Sequence, residues 1–275
     1  MRPGIRAAPF PGIPARVEKG RGPGGSGVAV AEGAVRVFSA HLDDAVLSAS
    51  VQLARPGAEV VTVFAGAPPE DVENTEWGRL TRASSAAERH RERLAEDDAA
   101  MSALGCAWRR LDEPEDEFRT GAPDLGRLAD RLRPDVADAA EIWIPAGIGG
   151  HPDHVALRRA VLAALDAAGD RATPVHLYAD LPYTIAHGWP TWVTGAEPAD
   201  YLDPDRWVVD ELVGNGVDPA GLARRAVRLA ADERARKARA VRAYRSQLPA
   251  LGLGPADTHR WTALLAHEAA WRLAR

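Results

Sequence analysis

The sequence predicts an α/β protein with a Rossmann-like, mostly parallel sheet between two layers of helices. Short apolar runs alternate with longer segments of helical periodicity between residues 35 and 179, and this alternation is typical of a parallel sheet covered on both faces. The chain has 275 residues, of which 46% are hydrophobic, so it is long enough to bury one sizeable core. We therefore expect a single three-layer α/β sandwich.

The strands of this sheet are predicted from short apolar runs, as expected for strands that are buried on both faces. The first run is Val35–Ala40, and the others in chain order are Glu59–Gly66, Trp108–Leu111, Glu141–Pro145 and Val175–Ala179. Each run is short enough to favour a strand over a helix.

The helices are predicted from apolar residues at helical spacing between those runs. In chain order they are Asp44–Ala54, Leu80–Leu104, Leu125–Val136 and Asp153–Ala168. Gly105 directly follows the longest of these segments, and a glycine in that position is a typical helix stop.

The two ends of the chain depart from the alternation. Residues 1–33 are rich in Pro, Gly and Arg and show no periodicity, which predicts a flexible N-terminal arm ahead of one domain over residues 34–275. Residues 187–212 contain three tryptophans among prolines and acids and are interpreted as a long loop. The segments Ala220–Leu248 and Thr258–Arg275 are predicted to be extra C-terminal helices.

Composition excludes several classes of partner. The formal net charge is −5 with acidic and basic residues well mixed, which gives no reason to expect nucleic acid or an anionic membrane surface. No run reaches the roughly 18 apolar residues that a membrane helix needs. The single cysteine, Cys106, has no partner for an internal disulfide, which suits a reducing compartment. We therefore expect a cytoplasmic protein that acts on a small molecule.

Two short stretches combine histidine and carboxylate at the ends of predicted strands. They are Ala40-His41-Leu42-Asp43-Asp44 and His151-Pro152-Asp153-His154, and they hold three of the eight histidines in the chain. Imidazole nitrogens and carboxylate oxygens that converge on one point are typical metal ligands. Parallel strands also present their carboxyl ends to a shared ligand cleft. An acidic residue alone at a helix start is usually a cap, but capping does not call for the histidines.

This set of residues is sufficient for metal-dependent hydrolysis. A hydrolytic zinc site needs three protein ligands and one open position for water. It also needs a carboxylate that takes a proton from the water and a donor that stabilises the oxyanion. Two histidines and one carboxylate as ligands leave one aspartate and one histidine for these tasks.

The two motifs resemble the signatures of the PIG-L/LmbE-like family of zinc-dependent N-acetylglucosaminyl deacetylases. The family sequence Ala-His-Pro-Asp-Asp-Glu is similar to Ala40–Ala45, with leucine and alanine in place of the proline and glutamate, and the later His-x-Asp-His is similar to His151–His154. The resemblance implies an LmbE-like fold and a zinc site made by His41, Asp44 and His154. Another divalent ion such as Fe²⁺ suits the same ligands.

The resemblance also implies roles for the remaining motif residues. Asp43 would be the general base for the attacking water, and His151 would protonate the leaving amine or stabilise the oxyanion. Asp153 would orient His151, which is a common role for a carboxylate beside a working histidine.

Three further positions match the family outside the two motifs. Arg93 lies in a helix that resembles the family's Arg-x-x-Glu helix, and Asp112 follows a strand where the family often has a carboxylate that contacts the substrate. Tyr183 ends the segment Tyr178–Tyr183, which resembles a Tyr-x-Asp/Glu-x-Pro-Tyr segment of the family. All three residues are therefore candidate substrate contacts.

The resemblance implies a metal-dependent hydrolase that removes the N-acetyl group from an amino sugar or its glycoside. The motif variants resemble most the deacetylases of secondary-metabolite glycosides. Two alternatives stay open at this stage. One is a zinc amidase for a larger acyl group or a thiol conjugate, and the other is a metal- and sugar-binding protein without turnover. The sequence does not indicate an oligomeric state.

Overall fold

The computed structural model describes residues 34–197 and 200–275, and one sheet runs through this part of the chain. The strands of the sheet are β1 (Ala34–Ser39), β2 (Glu59–Thr62), β3 (Ala107–Arg110), β4 (Ala139–Pro145), β5 (Val175–Tyr178), β6 (Leu222–Arg228) and β7 (His267–Leu273). Their order across the sheet is β3-β2-β1-β4-β5-β7-β6.

The first five strands run parallel, as the sequence predicts. β1 pairs with β2 on one side and with β4 on the other, so that Val37 lies between Val60 and Trp143. β3 extends the sheet beyond β2, and β5 extends it beyond β4. The chain therefore changes its direction of winding between β1 and β4. The carboxyl ends of these two strands form the switch point at which α/β sheets bind their ligands.

Helices cover both faces of the sheet and confirm the predicted α/β class. They are α1 (Asp44–Ser48), α2 (Ser50–Leu53), α3 (Glu76–Leu80), α4 (Ala86–Leu104), α5 (Leu125–Ala137), α6 (Pro152–Ala167), α7 (Thr191–Thr194), α8 (Pro204–Gly214), α9 (Ala231–Val241) and α10 (Thr258–Ala266). Gly105 ends α4 with a φ of +73°, in the left-handed conformation that its position predicts.

Two predicted helices are interrupted for local reasons. The segment Asp44–Ala54 forms α1 and α2, because Ala49 has a non-helical φ of −136°. At this break the carboxylate of Glu268 accepts the backbone N–H of Ser50 at 2.9 Å and of Val51 at 3.1 Å. α4 begins six residues after Leu80, where the Ser85 hydroxyl accepts the N–H of Glu88 as an N-cap.

The two predicted C-terminal helices are confirmed only in part, as α9 and α10, because each predicted segment also contains a strand. Residues 222–228 form β6 and residues 267–273 form β7, and the two strands pair antiparallel over seven residues. β7 also pairs antiparallel with β5. Alanine and arginine favour a helix intrinsically, but the hydrogen bonds of the sheet outweigh this preference. Residues 187–212, interpreted as a loop, contain α7 and most of α8, in which Asp203 caps the N-terminus.

The core is divided between the two faces of the sheet. Neighbouring residues of a strand point to opposite faces, so Val37 packs into one hydrophobic cluster and Phe38 into the other. Both side chains are fully buried. The sheet is thus packed against a hydrophobic cluster on each face, and this packing fixes the positions of the turns that follow β1 and β4.

Two predictions concern the ends and the surroundings of the fold. The predicted flexible arm, residues 1–33, lies outside the described residues, and a single domain over residues 34–275 stays a prediction. Among the described helices, none combines the length and the apolar character that crossing a membrane requires.

Candidate metal centre

Two turns at the carboxyl edge of the sheet form the candidate site. The first, residues 40–43, leads from β1 into α1, and the second, residues 146–151, leads from β4 into α6. Since β1 and β4 are neighbours, the turns bring together residues that are far apart in sequence. His41 and His154, 113 positions apart, lie with their ring centroids 5.2 Å from each other.

The first turn is held by hydrogen bonds on both sides. The backbone N–H of His41 donates to Oδ2 of Asp44 at 2.7 Å, and the Ser39 hydroxyl donates to the carbonyl of His41 at 2.6 Å. From the C-terminal part of the chain, the Tyr244 hydroxyl lies 2.9 Å from the carbonyl of Leu42 and 2.7 Å from Oδ1 of Asp97, within hydrogen-bond distance of both. The turn therefore has a fixed shape before any ligand binds.

Three donor atoms, one from the first turn and two from the helices that follow the turns, form a nearly equilateral triangle. Nδ1 of His41 lies 3.4 Å from Oδ2 of Asp44, and Nε2 of His154 lies 3.3 Å from the same oxygen. The two ring nitrogens are 3.4 Å apart. Ligands about 2.0–2.2 Å from a tetrahedral zinc ion lie about 3.3–3.6 Å from one another. The three predicted metal ligands thus have the spacing of one face of a zinc coordination sphere.

Each imidazole in the triangle is oriented by a carboxylate on its far side. Nε2 of His41 lies 3.0 Å from Oδ2 of Asp153, and Nδ1 of His154 lies 2.7 Å from Oδ1 of Asp180. A carboxylate accepts an N–H there, which leaves the lone pair of the other ring nitrogen facing the triangle. Carboxylate–histidine pairs of this kind are the usual support of metal-binding histidines.

Asp153 does not have the neighbour that the sequence analysis expected. The expectation that it orients His151 is corrected, because its carboxylate contacts His41, the backbone N–H of Asp116 at 2.9 Å and the Arg119 guanidinium at 2.5 Å. The physical reason is that Asp153 lies in the first turn of α6 with its side chain turned toward β1. Only its backbone N–H reaches His151, at Nδ1, over 3.2 Å.

The electrostatic field at the triangle favours positive charge. Burial alone lowers the pKa of His154, but the charge of Asp44 and the hydrogen bonds to Asp180 and Asp44 outweigh it and raise this pKa to about 9. For His41, too, burial lowers the pKa, and the carboxylates of Asp153 and Asp44 raise it well above its usual value. A divalent cation between the donors meets the same favourable field as a proton does.

The donor set therefore fits a divalent metal. His41 and His154 can be completed to a triad by either of two residues, Asp44 or His151. His41, His151 and His154 each have a ring nitrogen within 4.8 Å of the others, so a three-histidine set is also close to ligand spacing. The set with Asp44 is tighter, because its three distances are 3.3–3.4 Å. The geometry thus favours Asp44 as the third ligand and leaves the ring of His151 beside the site.

Asp43 and His151 flank the triangle without belonging to it. The Asp43 carboxyl is buried, and burial together with the charge of Asp44 raises its pKa to about 6, against the opposing charge of Arg93. The His151 ring packs edge-on to His41 with centroids 4.6 Å apart. Burial and the nearby imidazoles lower the pKa of His151 to about 4. Both side chains border the same cavity.

A cavity of about 220 Å³ opens in front of the triangle. Its lining combines charged groups with an apolar wall: His41, Asp43, Asp44, Leu47, Trp77, Arg93, Glu115, Asp116, Glu117, His151, Leu181, Pro182, Tyr183, Gln247 and Leu251. Five carboxylates in this set face one guanidinium, so the cavity is strongly acidic. Such a mixture of apolar surface and a few polar groups is typical of small-molecule sites.

Two of the three predicted substrate contacts border the cavity. Arg93 is buried and pairs through one nitrogen with both carboxylate oxygens of Glu115, at 2.7 and 2.9 Å. Tyr183 lies against Gly149, where an added Cβ would come within 2.7 Å of the tyrosine ring. The expectation for Asp112 is corrected. Its side chain is 83% exposed and paired with Arg131, and the acids of the cavity follow it at positions 115–117.

Sequence reasoning gave no role to three residues that shape this site. Asp180 follows β5 at the same edge of the sheet, and the place of a carboxylate directly after a buried strand was the available signal. Trp77 lies in the short helix α3 and Glu115 in an irregular connection, and neither segment is long enough to show a periodicity that marks the residue. Their contacts depend on residues far away in the sequence.

The backbone amides of the second turn are already engaged. Oδ2 of Asp180 accepts the N–H of Gly147 at 2.7 Å and of Ile148 at 2.8 Å, and Oε2 of Glu211 accepts the N–H of Gly149 at 2.8 Å. The turn is therefore rigid. The amides of Gly147, Ile148 and Gly149 thus hold the loop and are not free to bind an oxyanion.

Part of the chain matches the model of a known protein family. Residues 36–165 match the model of the PIG-L family, described as GlcNAc-PI de-N-acetylase. The matched region includes both histidine motifs. None of the curated protein sequences is significantly similar to the chain.

Solved structures with the same fold include deacetylases of antibiotic biosynthesis. The A40926 pseudoaglycone deacetylase Dbv21 is 27% identical with a TM-score of 0.61, over 86% of this chain and 96% of that chain. A triple mutant of the deacetylase Orf2 from the teicoplanin pathway is 25% identical with a TM-score of 0.65, over 87% and 97%. A zinc-inhibited form of teicoplanin deacetylase Orf2 is 24% identical with a TM-score of 0.64, over 86% and 97%.

Proposed function

Residues 36–165 are a domain of the PIG-L family, and from this premise we propose that the protein is a metal-dependent N-deacetylase of amino-sugar glycosides. The single observation that carries the proposal is the donor triangle of His41, Asp44 and His154 at the wall of a cavity that Asp43 and His151 also border. A binding protein has no need of a carboxyl and an imidazole beside its metal ligands. The alternative of a protein without turnover is therefore disfavoured.

We assign the metal to zinc, held by His41, Asp44 and His154. The triangle has the edge lengths of a zinc site, and the two carboxylate–histidine pairs are its usual support. When bound there, a zinc ion lowers the pKa of a coordinated water to about 7 and polarises the amide carbonyl.

Asp43 is the proposed general base. Its carboxyl lies next to Asp44 in the sequence, is buried and borders the cavity, so it is placed to accept the proton of the attacking water. The first turn, fixed by Ser39 and Tyr244, holds Asp43 in this position. General-base catalysis of this kind contributes about 10²–10⁴-fold to a rate.

His151 is proposed to stabilise the developing oxyanion as a neutral imidazole, in keeping with its pKa of about 4. The proton that Asp43 takes from the water is then the one available to the leaving amine. Nδ1 of its ring accepts the N–H of Asp153, so Nε2 is the nitrogen that is available to the substrate. Three amides of the second turn are bound to Asp180 and Glu211. Stabilisation of the developing oxyanion by this turn therefore depends on the His151 side chain rather than on these amides.

The acidic cavity supports a substrate that has no negative charge. Glu115, Asp116 and Glu117 border it beside Asp43 and Asp44, and these carboxylates accept hydrogen bonds from sugar hydroxyls. They also stabilise the ammonium group of a deacetylated product. The similarity to Dbv21 and Orf2 supports a secondary-metabolite glycoside as the substrate class.

Acetate release tests the proposal directly. The zinc-loaded protein is expected to release acetate from a methyl N-acetylglucosaminide, and Asp43→Asn is expected to lower kcat by about 10²–10⁴-fold. The variant retains a side chain of the same shape, so its zinc content and thermal unfolding serve as controls. Turnover at the wild-type rate in a folded, zinc-loaded Asp43→Asn protein contradicts the mechanism.

A panel of acyl groups separates the deacetylase from a broader amidase. N-acetyl, N-butanoyl and N-octanoyl glucosaminides share the sugar and differ only in the acyl chain. We expect the acetyl compound to have the highest kcat/KM. A preference for the octanoyl compound would support the alternative amidase function.

A further inference from the structure

One tryptophan borders the cavity outside the two histidine motifs. Trp77 is half-buried, belongs to α3 and borders the cavity beside Gln247 and Leu251. Its indole N–H donates to Oε1 of Gln247 over 2.7 Å, across 170 positions of sequence. The connection between β2 and α4 is thereby attached to the C-terminal part of the chain at the rim of the site.

The partner of Trp77 is itself fixed by a directional chain of hydrogen bonds. Since the indole can only donate, Oε1 of Gln247 must face Trp77, and Nε2 then donates to the Ser246 hydroxyl at 2.7 Å. That hydroxyl donates to Oε2 of Glu96 at 2.7 Å, and the Ser246 N–H donates to Oε1 of the same residue at 2.8 Å. Each link of this chain joins one donor to one acceptor, so the indole is held in one orientation.

The indole consequently offers a ligand only its apolar surface. Its single polar atom is engaged with Gln247, and its neighbours in the lining include Leu251, which is apolar. The remaining lining supplies the acids Glu115 and Glu117 and the cation Arg93. A ligand with one C–H face and a rim of hydroxyl groups, such as a pyranose ring, matches both kinds of surface.

We propose that Trp77 is the stacking platform on which the pyranose ring of the substrate lies. The ring places its C–H face on the indole and its hydroxyls toward the carboxylates, with the N-acyl group directed to the donor triangle. The inference rests on the proposed function for the identity of the ligand. It assigns substrate specificity to a residue outside both histidine motifs.

Sugar binding by platform variants tests the proposal. Affinity for methyl 2-acetamido-2-deoxy-β-D-glucopyranoside is measured by titration calorimetry in the zinc-loaded Asp43→Asn background, so that turnover does not interfere. Trp77→Ala is expected to weaken binding by about tenfold, whereas Trp77→Phe, which keeps an aromatic face, is expected to stay within about threefold of the background. In the Asp43-intact protein, Trp77→Ala is expected to raise KM more than it lowers kcat.

A matched control separates stacking from a structural role. Trp108 is another half-buried indole that donates to a side chain, at Oδ1 of Asp98, and it lies on β3 outside the cavity lining. Trp108→Ala is expected to leave the affinity unchanged. If the hydrogen bond to Gln247 alone matters, Trp77→Phe binds as weakly as Trp77→Ala, and the proposal is overturned.

Two further outcomes distinguish this inference from the proposed function. Wild-type affinity in a folded Trp77→Ala protein overturns the platform even if acetate is released normally. Conversely, sugar binding that depends on Trp77 in a protein that releases no acetate supports the platform and contradicts the deacetylase. Thermal unfolding of each variant establishes that it is folded.

Discussion

The candidate metal centre and the proposed sugar-binding wall of the cavity are built in different ways. The metal centre consists of two short motifs, each attached directly to the end of a central strand, and its imidazoles are held by Asp153 and Asp180. The wall consists of Trp77 and residues 115–117, which lie on connections away from the central strands. Neighbouring residues at strand ends thus define the chemistry, and contacts between distant segments define the recognition.

This difference predicts how the two regions respond to mutation. Substitutions at the metal centre are expected to abolish the reaction, because all three donor atoms must lie within bonding distance of the same metal ion. Substitutions at the wall change which substrates bind and leave the reaction intact.

Loss of a metal ligand is expected to have the largest effect. His154→Ala removes one corner of the donor triangle and leaves Asp180 without its imidazole partner. We expect no stoichiometric zinc after dialysis and no acetate release. Elemental analysis measures the metal, and circular dichroism verifies the fold. A folded variant that retains one zinc per chain would show that the ligand assignment is wrong.

Loss of an orienting carboxylate is expected to be the next largest effect. Asp180→Ala leaves the ligands in place but removes the acceptor for Nδ1 of His154 and for two amides of the second turn. The expected loss of zinc affinity is about 10–100-fold, measured by competition with a chelator. Unchanged affinity in a folded variant would mean that Asp180 acts only on the loop.

A negative charge on the substrate is expected to raise KM moderately, because of the carboxylates that line the cavity. N-acetylglucosamine 1-phosphate should have a KM about tenfold above that of the neutral methyl glycoside, because the cavity carboxylates repel the phosphate at close range. Higher salt should narrow this difference, since ions screen exposed charges. A phosphate ester that reacts as well as the neutral glycoside at low salt would contradict the role given to the acidic wall.

The smallest effect is expected at Asp112. Its exposed side chain pairs with Arg131 and does not border the cavity, so Asp112→Ala should leave zinc affinity, kcat and KM within about twofold of wild type, as is usual for a surface substitution. Steady-state kinetics measures this. A large rise in KM would restore the substrate contact that the sequence indicated.

The same difference between local and distant contacts explains which features of the protein could be predicted from its sequence. The five parallel strands and the residues of the donor triangle were predicted, because apolar runs and short motifs at strand ends are local signals. The strands β6 and β7 were missed, because their residues have helical propensity and become strands only through pairing with distant partners. The partner of Asp153 and the role of Trp77 depend on the three-dimensional neighbourhood in the same way.

The identity of the third metal ligand distinguishes the proposed site from its nearest alternative. Both Asp44 and His151 lie close enough to complete a triad with His41 and His154. We predict that Asp44→Ala lowers zinc affinity by more than about 100-fold, beyond the range of orienting residues. His151→Ala should keep its zinc and lose most of its turnover. The reverse pattern, zinc retained in Asp44→Ala and lost in His151→Ala, would contradict the proposed site.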